Sequence, residues 1–445
     1  MIDALRNAMS VPDLRRKLMY TLLILIVYRL GAHVPVPGVD QAALQAMMEG
    51  QGGVSQLFNM LNLLSGGAVA NFSVMANGVS PYITATIIFQ LLIPIFPALE
   101  QLQQEGEAGQ QKINRWTYYI TVPLALLQAF GQAQGFNYAA GGTPILPNFG
   151  FTGGDLLPTI TVLFAMTAGT MFAVWLGELI SEQGIGNGIS LIIFSGIVAG
   201  MPTNIARIWT QAQLQPGGGV GRAVLTLAIF VILTALMMLV IVVVQEGERR
   251  IPVQYGKRVR GIKMYGGGGT NIPLRVNMAG MIPIIFAQSI LTFPAVIAQF
   301  FVGSQNPQVS NFAASVMEFF NGRGPGYGAL FFFAVVGFTY FYTDVLVQQQ
   351  DLPGALKRQG GFIPGIRPGR RTAEYINSIY RRITFVGALF LGIVAVLPIM
   401  VDIFLNTQIL PITSTGLLIV VGVVVDTMRQ LEAQLLMRHY DGFIK

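Results

Sequence analysis

Residues 223–244 read AVLTLAIFVILTALMMLVIVVV, an apolar run without one ionisable group, followed at once by Gln245-Glu246-Gly247-Glu248-Arg249-Arg250. A hydrocarbon core about 30 Å thick takes about 20 helical residues to cross, so this run is long enough to span a bilayer. Nine other stretches reach or approach that length: 18–34, 79–96, 116–133, 157–180, 189–208, 277–302, 329–347, 383–405 and 409–428. The whole chain of 445 residues is 53% hydrophobic and 11% charged, whereas soluble domains carry about 25% charged residues. The predicted class is an all-α polytopic membrane protein with ten transmembrane helices.

An even number of spans places both ends of the chain on one side, and Lys and Arg collect on the cytoplasmic side. All 27 positive residues except Arg29, Arg207, Arg222 and Arg323 fall at the termini or in the connections after the second, sixth and eighth spans. Both termini are therefore predicted to be cytoplasmic. Arg29 lies near the outer end of the first span, where a long side chain reaches the headgroups. That span runs into Val34-Pro35-Val36-Pro37-Gly38 without a small-residue cleavage site, so it is expected to remain as a helix.

The chemistry of catalysis is missing. Cys is absent and the only histidines are His33 and His439, so no disulfide, thiolate metal site or nucleophile–base pair can be assembled. No enzyme activity, cofactor or metal is expected. Glu178, Glu182, Asp344 and Asp426 fall near cytoplasmic span ends, where solvation or helix capping accounts for them. Gly184-Ile185-Gly186-Asn187-Gly188 looks like a phosphate loop, but no strand precedes it and no Lys-Ser or Lys-Thr follows. The pI near 9.6 is a by-product of oriented basic loops rather than a sign of nucleic acid.

The Gly-rich linker at 211–221 divides the spans five and five, giving domains 1–210 and 211–445. Five is odd, so the second half starts on the opposite face, the arithmetic of two inverted pseudo-symmetric halves. Residues 56–75 are broken by Ser65-Gly66-Gly67, Asn71 and Gly78, so they cannot form one continuous helix with the second span. Irregular backbone at membrane depth must be buried by protein or line an aqueous cavity. A short, mobile, re-entrant helix at 67–75 and an ordinary outer surface loop are equally compatible with this stretch. Two cytoplasmic loops, 246–275 and 348–382, exceed in length and clustered charge what orientation requires, and read as basic docking arms.

Six runs now stand in order: Val34-Pro35-Val36-Pro37-Gly38, Ser65-Gly66-Gly67, Gly78-Val79-Ser80-Pro81-Tyr82-Ile83, Gly186-Asn187-Gly188-Ile189-Ser190, Val276-Asn277-Met278-Ala279-Gly280 and Gly365-Ile366-Arg367-Pro368-Gly369. Over its whole length the chain resembles the SecY family, the central channel subunits of protein translocases. The resemblance implies an hourglass of two inverted halves, closed by a plug near 65–76 and by an apolar ring at its waist. Carried onto this sequence, the ring is Val79, Ile83, Ile189, Ile193, Ile285 and Ile419, and the plug includes Gly66, Gly67, Asn71, Phe72, Ser73 and Met75. Each of the pairs Val79/Ile83 and Ile189/Ile193 is spaced i, i+4, which puts its members on one helical face.

An apolar constriction sheds water and holds back ions without hydrogen-bonding a passing polypeptide. Gln90 in the second span and Gln288 in the seventh would face each other across a lateral gate that releases apolar segments into lipid. Arg250, Lys257, Arg258 and Arg260 in the first arm, with Arg367, Arg370 and Arg371 in the second, would meet ribosomal RNA or the SecA motor ATPase. The implied partners are SecE, SecG, SecA, the ribosome, signal peptides and nascent membrane proteins, and anionic lipids. The implied place is a bacterial cytoplasmic membrane. Rival readings of the residues are a solute transporter built on inverted repeats and a membrane scaffold whose basic arms recruit partners.

Overall fold

The computed structural model describes residues 9–44, 68–139, 144–151, 153–214, 219–255, 258–260, 263–265, 269–302, 306–320, 324–350, 352–405 and 414–441. A helix lies over each predicted span: α1 (Pro12–Gly31), α2 (Ser80–Leu92), α4 (Glu107–Ala139), α5 (Leu156–Gln183), α6 (Gly188–Leu214), α7 (Val220–Glu246), α8 (Ile282–Val302), α10 (Pro325–Gln350), α12 (Arg370–Leu405) and α13 (Ser414–Asp441). Three shorter helices join them: α3 (Pro97–Gln104), α9 (Pro307–Phe319) and α11 (Leu352–Gln359).

Length and apolarity alone single out four spans, 153–183, 223–246, 325–359 and 370–397, and a fifth if the bent pair α2 and α3 is one. The helices over the other predicted spans are assigned by their position in the sequence.

Boundaries differ from expectation where helix and bilayer part company. The second span stops at Leu92 rather than 96 and turns by 102° into α3, because Pro94 and Pro97 forbid a continuous hydrogen-bond ladder. Leu99 and Leu102 of α3 then fold onto Phe89, Ile93 and Ile113. In the other direction, α12 begins at Arg370 instead of 383, α4 at Glu107 instead of 116, and α13 runs on to Asp441. Hydropathy marks where lipid starts, whereas a helix continues into water for as long as its residues favour it.

The chain packs as two compact units, Met1–Leu227 with Ser289–Tyr327 and Gly422–Lys445, and Ala228–Gln288 with Gly328–Val421. In the first, α5 is central and packs on α1, α4 and α6, while α2 packs on α4. The glycine turn between α5 and α6 is tied down by side chains. Thr21 Oγ1 accepts from the Ile185 amide (3.2 Å), Gln430 Oε1 from Gly186 (3.0 Å) and Ser181 Oγ from Gly188 (2.9 Å). These amides are spent on protein, which explains physically why the phosphate-loop look of Gly184 to Gly188 is misleading. Around the turn, Leu14, Ile185 and Leu431 form an apolar cluster that joins α1 to α13.

The second unit carries a three-stranded antiparallel sheet in the order β4-β1-β5, with β1 (Glu248–Tyr255) central, β4 (Gly269–Arg275) on one side and β5 (Gly361–Phe362) on the other. Register runs from Glu248 opposite Arg275 to Gln254 opposite Gly269, while Gln254 and Tyr255 also face Phe362 and Gly361. A two-stranded ladder, β2 (Arg258–Arg260) with β3 (Lys263–Tyr265), lies between β1 and β4 in sequence. Ile251, Val253 and Leu274 of the sheet bury against Leu356, Ile363, Ile376, Ile379 and Tyr380. Deeper in this unit, Phe286 of α8 stands edge-on to Phe338 and Tyr342 of α10, at centroid distances of 6.4 and 5.8 Å.

Candidate functional site

The segment 68–79, which leads into α2, is irregular backbone held by contacts on several sides. The short helix expected at 67–75 is a single 3-10 turn, Val69–Asn71, closed by Phe72 in the left-handed region at φ 39°. Gly66 and Gly67 lie outside the described residues. In place of a helix over 67–75 or an exposed surface loop stands a seated coil in which Phe72, Ser73, Met75, Ala76, Asn77 and Val79 are all buried, with Asn71 exposed. Nucleating a helix is costly, and this backbone has a better partner.

That partner is the proline-rich run after α1. Val36 N–H donates to the Phe72 carbonyl and Val74 N–H to the Val34 carbonyl, each at 3.0 Å, around a bridge between Pro35 and Ser73. Pro35 and Pro37 lack an N–H, so the one donor between them, on Val36, is directed to the seated segment. The Phe72 ring meets Phe136 of α4 edge-on at 4.7 Å. On α5, a Cβ at Gly169 would overlap the Val74 carbonyl, and one at Gly31 of α1 would overlap the end of Met75. The Ser73 hydroxyl is buried here and accepts from the Met75 amide at 2.9 Å.

A polar row follows the seat along α4. Asn77 Nδ2 donates to the Ala125 carbonyl (3.1 Å), Gln128 reaches the Ser80 hydroxyl (3.5 Å), and Gln132, 3% exposed, lies one turn further along the same face. Gln132 has no hydrogen-bond partner for either amide atom among the described residues. Leaving a buried donor or acceptor unpaired costs about 1–3 kcal/mol. Gln132→Leu is therefore expected to raise the thermal midpoint of the purified protein, followed by intrinsic fluorescence; a lower midpoint would mean that the amide has a partner worth keeping.

The predicted ring positions sit near helix starts. Val79 is the N-cap of α2 and fully buried, and its carbonyl accepts from the amide of the half-buried Ile83 at 3.0 Å. Ile189 and Ile193 lie in the first turns of α6, Ile189 against Gly177 of α5 and Ile193 buried. These four belong to the first unit, while Ile285 on α8 and Ile419 on α13, both buried, belong to the second. Of the gate pair, Gln90 is on α2 with a buried Oε1 that lacks a partner among the described residues, and Gln288 is buried on α8.

Arg250 projects from β1 and is paired with Glu248 at 2.6 Å; Arg370 at the start of α12 is paired with Glu374 at 3.0 Å. Both pairs are solvent-exposed, so each is worth under about 1 kcal/mol and leaves the guanidinium available to another anion. Arg367 and Arg371 are exposed beside them. Arg258 and Arg260 lie on β2 opposite Tyr265 and Lys263; Lys257 is outside the described residues.

A three-stranded sheet after the sixth span, a seated coil before the second span and a helix over each of ten segments can be set beside known proteins. The family profile described as SecY matches residues 73–428. The protein translocase subunit SecY of Halalkalibacterium halodurans is 44% identical over 100% of both chains. The chain belongs to the SecY family.

Among solved structures, a SecY channel described by its plug domain, said to stabilise the closed state and maintain a membrane seal, superposes with a TM-score of 0.62. The match is 17% identical and covers 94% of this chain and 91% of that one. Canine Sec61 from a ribosome–channel complex superposes with a TM-score of 0.58 at 17% identity over the same shares. At that identity the likeness concerns the fold, which is that of an all-α polytopic membrane protein.

Two features of this SecY-family chain escaped sequence reading. The pairing of β5 with β1 makes one domain of what looked like two arms; the alternation of Ile251, Val253 and Tyr255 with Arg250, Pro252 and Gln254 was its available signal. The row Asn77, Gln128 and Gln132 gave no signal, since Asn and Gln in an apolar helix read as ordinary packing polarity.

Proposed function

We propose that this chain is the pore of a bacterial translocase in its closed state, with residues 68–79 as the plug and Val79, Ile83, Ile189, Ile193, Ile285 and Ile419 as the constriction. The chain is a protein-conducting channel subunit of the membrane and not an enzyme. The observation that carries the closed-state reading is the burial of the segment just before Val79 on Gly169, Gly31 and Phe136. A seal must be dry and close-packed, yet held by few enough contacts to be displaced, and a short coil of backbone bonds and van der Waals contacts meets both needs.

In this reading the halves 1–210 and 211–445 flank the pore, and SecE and SecG complete the complex. Gln90 and Gln288 line the lateral exit through which signal peptides and apolar segments reach lipid. Both termini and the basic arms face the cytoplasm, where SecA or a ribosome supplies the driving force, and anionic lipids surround the basic ends. Sorting follows partition: each central Asp or Lys costs about 3 kcal/mol in lipid, each Leu or Ile returns a few tenths.

Reconstitution with its partners and an unfolded secretory precursor tests the function directly, protease protection of precursor in the vesicle lumen being the expected result. Proton-coupled uptake of a small solute without precursor movement would instead establish a transporter. Ile285→Asn is expected to let water wet the constriction and to produce a resting ion current in planar bilayers; wild-type tightness would remove Ile285 from the ring. Arg367→Glu is expected to weaken motor or ribosome binding about tenfold, as the loss of one charge-assisted contact predicts, while leaving the melting curve unchanged. Unaltered binding would dismiss that contact.

A further inference from the structure

Helix α9 divides its surface three ways. Asn306 caps it, accepting from the Gln308 amide at 3.2 Å, with Pro307 in the first turn. At 100° per residue, Asn311, Ser315 and Glu318 share one face. On the opposite side Ala313, Val316 and Met317 pack on α8 around Ala298. Between them runs an apolar edge, Phe312 and Phe319, that is 72 and 47% exposed.

The height of α9 follows from its contact. Ala298 is four residues short of Val302, the end of α8, which is about 6 Å along the axis. An interfacial helix buries its apolar face about 5–10 Å into the boundary between headgroups and acyl chains. The exposed edge also continues a stripe on α8 itself, where Ile290, Phe293, Ile297 and Phe301 are 39 to 53% exposed. By the alternation of spans expected from the sequence, the connection after the seventh span, which holds α9, falls on the side away from the Lys- and Arg-rich connections.

We propose that α9 is an interfacial helix that seats Phe312 and Phe319 among the acyl chains at the membrane boundary beside the end of α8, anchoring that end in the plane. The occupant is hydrocarbon rather than an anionic headgroup. The helix has no Lys or Arg and its one charged residue is Glu318, so nothing on it attracts acidic lipid.

The chain contains no Cys, so single labels can be placed without background. Phe312→Cys and, as the control on the polar face, Asn311→Cys would carry a nitroxide in the full complex reconstituted into zwitterionic phosphatidylcholine vesicles. The expected result is collision with oxygen several-fold more frequent, and with an aqueous nickel chelate several-fold less frequent, at 312 than at 311, unchanged on adding anionic phospholipid. Equal nickel access at both positions would overturn the proposal, since α9 would then stand in water. Shielding of 312 from both reagents would overturn it too, by showing a protein partner on that edge. An increase in burial that requires anionic lipid would replace hydrocarbon by headgroup recognition. Phe319→Cys provides the same readings if labelling at 312 perturbs the helix.

Discussion

Gly169→Val is expected to leave the resting channel open to ions. The side chain would enter the space held by the carbonyl of Val74, with the Val74 carbonyl carbon at 2.5 Å and the Met75 amide nitrogen at 3.1 Å from its Cβ. These are backbone atoms fixed on their other side by the Val34 hydrogen bond, so no rotamer change relieves the overlap. Overpacking of this kind costs about 3 kcal/mol, enough to shift the seated population roughly a hundredfold. Conductance of the reconstituted complex in planar bilayers measures it. Gly154→Ala is the control, since its Cβ would meet nothing within 4 Å. A Gly169→Val channel as tight as wild type would show that 68–79 does not form the seal; retained helical signal by circular dichroism separates an unseated segment from an unfolded protein.

Val253→Asp is expected to disable both basic arms together. Val253 is fully buried in the central strand, opposite Thr270, and faces the cluster of Leu274, Leu356, Ile363 and Tyr380. An unpaired carboxylate there costs several kcal/mol, more than a sheet with one two-residue edge strand can absorb. Trypsin is expected to cut at Arg249, Arg250 and Arg358, and binding of the cytoplasmic motor or ribosome to fall further than with Arg367→Glu. Wild-type protease resistance would mean that the sheet tolerates the charge, and that the arms do not depend on this shared core.

Much of the architecture was legible because bilayer physics is severe. Ten apolar segments suffice to set the class, and each segment carries a helix. Legibility failed where backbone, rather than side-chain character, decides. Val34-Pro35-Val36-Pro37 could be read as a motif but not as the partner strand of Ser73, because nothing in composition reports a pairing across the thirty-odd residues between them. The i, i+4 spacing of Val79 with Ile83 was readable, yet Val79 stands at the N-cap rather than inside α2. Gly169 was invisible as a seat, since a glycine in an apolar helix shows its purpose only when another backbone passes it.

Helix α12 is 36 residues long, a rod of about 54 Å, and its first turns lie outside the apolar segment that crosses the membrane. Ile376, Ile379 and Tyr380 on those turns are the floor beneath the sheet that β5 clips together. Tugging on either loop thus turns the same lever, with the bilayer as its fulcrum. A torque delivered at the sheet is expected to travel along the rod as far as Pro398, whose missing N–H makes it a hinge within the last turns.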